Sequence, residues 1–160
     1  MSLESLEQAL PQGNLLLLDT TTVISYFKGN EPASPVATQI VDGFIANGRN
    51  PAKASAVTAM ELLVSPLRLR DEALLRQVTF FLQHFPNLTV ESVDFATAQQ
   101  AAALRATYNF KTPDALILAT SRAHGVRYLV SNDEEWRRKL TRLPHRDLEV
   151  CYLEDHLPFP

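Results

Sequence analysis

The sequence predicts an α/β domain around a mostly parallel sheet. Two observations carry this expectation. Short runs suited to strands alternate along the whole chain with segments whose apolar residues recur at helical spacing. The first run, Leu15-Leu16-Leu17-Leu18, is apolar throughout, as befits a central strand covered on both faces. A length of 160 residues suffices for one domain with its own core. We read residues 1–160 as a single domain with its core at about 14–154.

Asp19 ends the first strand, and a helix opens at once with Asp19 or a threonine as cap. Gly29-Asn30 stops it. Val36, Ile40, Val41, Phe44 and Ile45 give residues 35–47 a helical period. A turn over 48–51 leads to a small-residue strand at 53–57. Thr58 to Leu63 reads as a helical turn closed by Pro66, followed by an amphipathic helix over 68–84 with Leu69, Leu74, Leu75, Val78 and Phe81 inside. Residues 88–91 form a strand, and Asp94 caps a helix over 95–108. Thr112-Pro113-Asp114 has the cap, the first-position proline and the first-turn acid of a helix start, and Gly125 ends that helix. A strand at 127–131, a short helix from 132 to about 140 and a strand at 148–153 complete the alternation, with five strands in all.

Composition narrows the function without naming it. Apolar residues make up 46% and charged residues 21%, the balance of a soluble globular protein. A net charge of −3 does not advertise a nucleic-acid binder. With Cys151 the single cysteine, an internal disulfide and a cysteine-based zinc site are both excluded. The four histidines lack metal-ligand spacing. Acids stand near the N-terminus where a signal peptide carries basic residues, and no apolar stretch reaches the roughly 20 residues that cross a bilayer. A cytoplasmic protein without membrane attachment is expected.

Four acids stand in telling places. Asp19 and Asp133 follow strands, and in an open parallel sheet the strand C-termini share one edge where ligands bind. Neighbouring strands lie about 4.8 Å apart, so acids at their ends can meet around one ion. Asp114 begins the helix that precedes the strand at 127–131, which can return it to the same edge. Glu61 follows the strand at 53–57, among few polar neighbours. Carboxylates gathered this way repel one another unless a divalent cation sits among them. Mg²⁺ accepts such hard oxygen donors. The bland reading of each aspartate is a helix-start acid, a role worth a few tenths to about 1 kcal/mol. For Glu61 it is a salt bridge to an arginine.

The same residues resemble the PIN-domain family, in particular the small VapC-type toxins of bacterial toxin–antitoxin pairs. The resemblance spans nearly the whole chain. Its first motif is the apolar strand running into Asp19-Thr20-Thr21-Thr22, its second Val57-Thr58-Ala59-Met60-Glu61-Leu62, its third Thr112-Pro113-Asp114-Ala115-Leu116-Ile117, its fourth Val130-Ser131-Asn132-Asp133-Glu134-Glu135-Trp136. There are departures. Thr21 stands where the family commonly has Asn or Ser, and its hydroxyl can serve instead. Ser131, Glu135 and Trp136 stand in a motif that often reads Thr-Asn-Asp-x-Asp-Phe, so Glu135 takes the place of an auxiliary aspartate. The resemblance implies a three-layer α/β/α fold and Mg²⁺- or Mn²⁺-dependent endoribonuclease activity. It implies a homodimer, a cognate antitoxin, and Asp19, Glu61, Asp114 and Asp133 as catalytic metal ligands. Thr20 and Ser131 are candidates for orienting them.

Charge is unevenly spread. Residues 1–66 carry six acids against three Lys or Arg, whereas residues 101–146 carry nine Lys or Arg against four acids. Lys111, Arg122, Arg137 and Arg138, with Arg105, Lys139, Arg142 and Arg146, form a candidate rim for RNA phosphates, or else a solvated face. The apolar helices near 23–27 and 35–45 have surface to spare for a dimer or antitoxin groove, with Tyr26 and Phe27 as candidates. Three other readings compete: a non-catalytic domain that binds RNA or protein, a DNA-directed nuclease, and a phosphatase using Asp19 as nucleophile.

Overall fold

The computed structural model describes residues 3–144 and 147–159. Five parallel strands form one sheet: β1 (Leu16–Leu18), β2 (Ala52–Ser55), β3 (Leu88–Glu91), β4 (Tyr128–Ser131) and β5 (Glu149–Tyr152). Their spatial order is β3-β2-β1-β4-β5. The chain first steps outward from β1 through β2 to β3, then crosses over to β4 on the other side of β1 and continues to β5. The strand order therefore reverses between β1 and β4, and in open parallel sheets the C-terminal ends of strands at such a switch point are where ligands bind. Leu18 pairs with Val130, so Asp19 and Ser131 follow side by side.

Strand alternation divides the interior into two cores. Leu16, Leu18, Ala52, Ala54, Tyr128 and Val130 face one, and Leu17 and Leu129 face the other. Helices α1 (Leu3–Ala9), α2 (Thr20–Lys28), α3 (Ser34–Thr38), α4 (Ala56–Leu69) and α5 (Glu72–His84) contribute to the first core. Helices α6 (Phe95–Tyr108), α7 (Thr112–Ala123) and α8 (Glu135–Leu140) contribute to the second. This is the three-layer α/β/α arrangement that the resemblance implied. Cys151 is buried in β5, where desolvation pushes its thiol up to about 12, so it is an inert core residue. No helix among the described residues is long and apolar enough to cross a membrane.

Local chemistry explains several departures from the expected elements. Helix α1 was not anticipated; Leu6 and Leu10 bury it against the first core. The segment at 35–47 is α3 followed by a π-helical stretch, Gln39–Ala46. A Cβ at Gly43 would fall 2.2 Å from Gln39 Nε2, so glycine makes room for that amide. Val36, Ile40, Val41, Phe44 and Ile45 are all buried, which leaves this segment no apolar face for a partner. Ser55 ends β2 and caps α4 by accepting from the Val57 N–H at 3.2 Å, so Ala56 and Val57 are helical rather than extended.

Pro66 does not stop α4; it lies near the helix end, and the break comes at Arg70, in the left-handed conformation with φ 53°. Leu69 is consequently exposed, not buried. Asp71 then caps α5 through the Leu74 N–H. Lys111, not Thr112, occupies the cap position of α7, and the Thr112 hydroxyl accepts from Arg105 at 2.7 Å. Helix α8 begins at Glu135, leaving Asp133 in the loop after β4.

One hydrogen bond ties the first site helix to the sheet. The fully buried Thr22 hydroxyl donates to the Val130 carbonyl at 2.8 Å. That carbonyl also accepts the Asp19 N–H at 3.0 Å, so Thr22→Val removes one bond without stranding an acceptor. We expect a loss of about 1 kcal/mol. Urea unfolding should show it as a lower midpoint at unchanged slope.

Candidate metal centre

Asp19 is fixed from several directions. It caps α2 through Oδ1, which accepts the Thr20 N–H at 2.6 Å. Its Oδ2 accepts from the Ser131 hydroxyl at 2.7 Å and from the Trp136 indole N–H at 3.1 Å. Ser131 in turn accepts the Asp133 N–H at 3.0 Å, and Thr21 Oγ1 accepts the Asn132 N–H at 2.8 Å. The loop after β4 is thereby laced to the end of β1. Burial raises the Asp19 pKa, against the lowering effect of the Ser131, Trp136 and Thr20 bonds, and the nearby Asp133 charge adds to the rise.

Asp114 lies in the first turn of α7, with its side chain 15% exposed. Glu61 projects from α4 and is exposed. Its pKa is raised by partial desolvation, then by the charges of Asp19 and Asp114. The four acids thus share one electrostatic neighbourhood: Asp19 senses Asp133, and Glu61 senses both Asp19 and Asp114. An arginine partner, the bland expectation for Glu61, is not found among the described residues.

Lys139 joins the cluster from α8. Its ammonium lies 3.3 Å from Asp114 and 3.2 Å from Asp133, with Glu135 farther off at 3.9 Å. Its side chain is only 13% exposed, and it lies over the Trp136 ring at 4.8 Å from the centroid. Burial pulls its pKa down, but Asp114 and Asp133 outweigh that and the net shift is upward.

Does this set suit a divalent cation? By donor type it does, since every acid offers hard oxygens and two of them already hold an ammonium between them. Thr20 adds a second sign. Its side chain approaches Glu61, yet its buried hydroxyl has no well-formed hydrogen bond, a polar atom left over beside the acids. As the side chains stand, no three carboxylates, imidazoles or thiols among the described residues are close enough to grip an ion. Rotation of the exposed Glu61 toward Asp19 and Asp114, whose charges it already feels, is the movement that would close the set.

The other expected residues are placed unevenly. Ser131 bonds Asp19 directly, whereas Thr20 supports it through its backbone N–H. Glu135 is half exposed and pairs with Arg138 at 3.4 Å. Lys111 is exposed three residues before Asp114, and Arg138 is exposed on α8 beside Glu135. Arg122 is not beside them: eight residues along α7 from Asp114, it lies ~12 Å down the axis and pairs with Asp147. Arg137 turns toward Asp155 and the Tyr152 ring. Arg105 bonds Thr112, Arg142 lies over the Phe110 ring, and Arg146 is outside the described residues. The residues that sequence reasoning missed are Trp136 as a donor to Asp19 and Lys139 as an internal ion pair. The substitution of Trp for the family's usual Phe was the available signal for the first.

A three-layer α/β/α domain with carboxylates near the switch point of its parallel sheet defines the class of protein. The PIN domain model matches residues 16–140, and the chain belongs to that family. A toxin–antitoxin complex from Klebsiella pneumoniae is similar at 24% identity and TM-score 0.60, over 86% of this chain and 97% of the other. DNA-bound VapBC from Salmonella typhimurium is similar at 23% identity and TM-score 0.64, over 88% and 98%. VapC20 of Mycobacterium tuberculosis, a toxin that cleaves the sarcin-ricin loop, is similar at 13% identity and TM-score 0.64, over 77% and 93%. No curated protein matches the chain.

Proposed function

We propose that this chain is a divalent-metal-dependent endoribonuclease, the toxin of a toxin–antitoxin pair, acting as a homodimer on RNA in the cytoplasm. The observation that carries the reading is the meeting of Asp19, Glu61, Asp114 and Asp133, distant in sequence, at one sheet edge of a PIN-family fold. These four acids are the residues that would hold Mg²⁺ or Mn²⁺. When bound, the ion supplies Lewis acidity at the phosphodiester and activates water for in-line attack.

The protein's own groups do the rest. Ser131, Trp136 and the Thr20 N–H fix the orientation of Asp19. Lys111 and Arg138, exposed at the rim, attract the RNA backbone. An apolar groove between α2, α4 and α5, lined by Ile24, Phe27, Leu62, Pro66, Leu74 and Val78, offers the surface that an antitoxin's amphipathic segment covers. The toxin–antitoxin assemblies among the similar structures support such a partner. Tyr26 and Phe27 are half-buried against the first core and reach the adjoining surface.

Calorimetric titration with Mn²⁺, alongside incubation with RNA and single-stranded DNA of matched sequence, tests the proposal. Saturable binding and metal-dependent internal cleavage of RNA alone are expected. Equal cleavage of DNA would make the enzyme a general nuclease. Neither binding nor cleavage would leave a non-catalytic domain that binds RNA or protein.

A further inference from the structure

The acid cluster is electrically lopsided. At one pole, Asp114 and Asp133 share the Lys139 ammonium at 3.3 and 3.2 Å, with Glu135 as a third, more distant acid. At the other pole, Asp19 and Glu61 have no cationic partner among the described residues. Thr20, only 7% exposed, adds its unpartnered hydroxyl to that second pole. Lys139 is not a surface lysine that reached inward by chance. Its side chain is 13% exposed and its ammonium lies over the Trp136 ring, while that ring's N–H holds Asp19. One indole therefore positions both the fixed cation and the acid of the opposite pole.

We propose that the Lys139 ammonium permanently fills one of two cation positions in this centre, so that each chain takes a single divalent ion, at the pole of Asp19, Glu61 and the Thr20 hydroxyl, with Asp114 between the poles. This inference rests on the metal-dependent reading above and narrows its ligand set, since Asp133 then holds Lys139 rather than the ion. A fixed positive charge a few ångströms away repels an incoming cation strongly even at an effective dielectric of about 20. It also neutralises one acid pair, so a second ion gains little by binding there. Lys139 is on this account a positioning residue that sets metal stoichiometry.

The test is calorimetric titration of the full chain with Mn²⁺, checked by electron paramagnetic resonance for spin coupling between neighbouring ions. The wild type should bind one ion, with the spectrum of isolated Mn²⁺. Lys139→Met should admit a second, spin-coupled ion. Lys139→Arg should restore a stoichiometry of one, which a purely structural role would not predict. Lys139→Gln, which keeps hydrogen-bond donors without the charge, serves in place of the Met variant if circular dichroism shows that variant unfolded, and should likewise take two ions. Two ions in the wild type, or one ion in every variant, would overturn the assignment of Lys139 and leave the nuclease reading standing. No ion in any of the proteins would remove both.

Discussion

Asp19→Asn should reduce metal-dependent RNA cleavage by about 10³-fold or more while the protein stays folded. A metal ion's Lewis acidity is worth several kcal/mol to such a reaction, and each ~1.4 kcal/mol is a factor of ten in rate. The amide removes the negative charge that would hold the ion. It also cannot reproduce the native hydrogen bonds. Oδ1 accepts from Thr20, and Oδ2 accepts from Ser131 and Trp136, so the amide nitrogen must face a donor whichever way it turns. The fold survives because a buried charge is removed along with that bond. Burial raises the Asp19 carboxyl above its ordinary 3.8. Below that ordinary value both native and unfolded chains hold the proton. As pH rises the unfolded chain ionises first, so Asp19 makes stability fall from about pH 4 up through the raised native pKa. Glu61, also raised, acts in the same direction. Melting temperatures measured with chelator across pH 4 to 8 should therefore decline less in Asp19→Asn than in the wild type. A variant that still cleaves RNA at the wild-type rate would remove Asp19 from the metal site.

Much of this centre is legible in the sequence because local rules and topology agree there. An apolar strand that runs into an acid at a helix start places Asp19, and the strand–loop pattern at 128–133 places Asp133 beside it. Glu61 was harder to fix in structure, since its strand and helix meet two residues earlier than the composition suggests. Ser55 is a good helix cap, and Ala56 and Val57 tolerate either state. The break between α4 and α5 was misplaced for a related reason. Proline reads as a stop, but Pro66 stays inside α4 at the loss of one i→i−4 hydrogen bond, and the left-handed Arg70 with the Asp71 cap decides the boundary.

The role of Lys139 is of another kind. Its spacing from Glu135 and Asp133 is visible in the chain, but the approach of Asp114 depends on how α7 and α8 lie against one sheet face, which periodicity does not specify. For the same reason a count of basic residues overestimates the phosphate rim. Arg122 and Arg137 share the positive stretch of sequence with Arg138, yet they end beside Asp147 and Asp155.

Trp136 gives the largest expected change in stability. It is among the largest fully buried side chains and packs in the second core. Its N–H is one of three donors to Asp19 within 3.1 Å, and its ring lies beneath Lys139. Trp136→Ala should cost about 3–5 kcal/mol from lost burial and the cavity alone. The indole hydrogen bond lost from the Asp19 Oδ2, where Ser131 still donates, adds to that. Trp136→Phe separates the two contributions. It keeps most of the apolar contact and supplies the residue common in related motifs, but it cannot donate to Oδ2. Its stability loss should be smaller, roughly 1–3 kcal/mol for the bond to a charged group. Its Mn²⁺ affinity should nonetheless fall by about 10- to 100-fold, the usual consequence of removing a partner that orients a metal ligand. Urea unfolding and Mn²⁺ titration of the two variants read these effects independently. If the Phe variant unfolds more easily yet binds Mn²⁺ as tightly as the wild type, the indole N–H is a core bond only, and Ser131 with the Thr20 backbone suffices to aim Asp19.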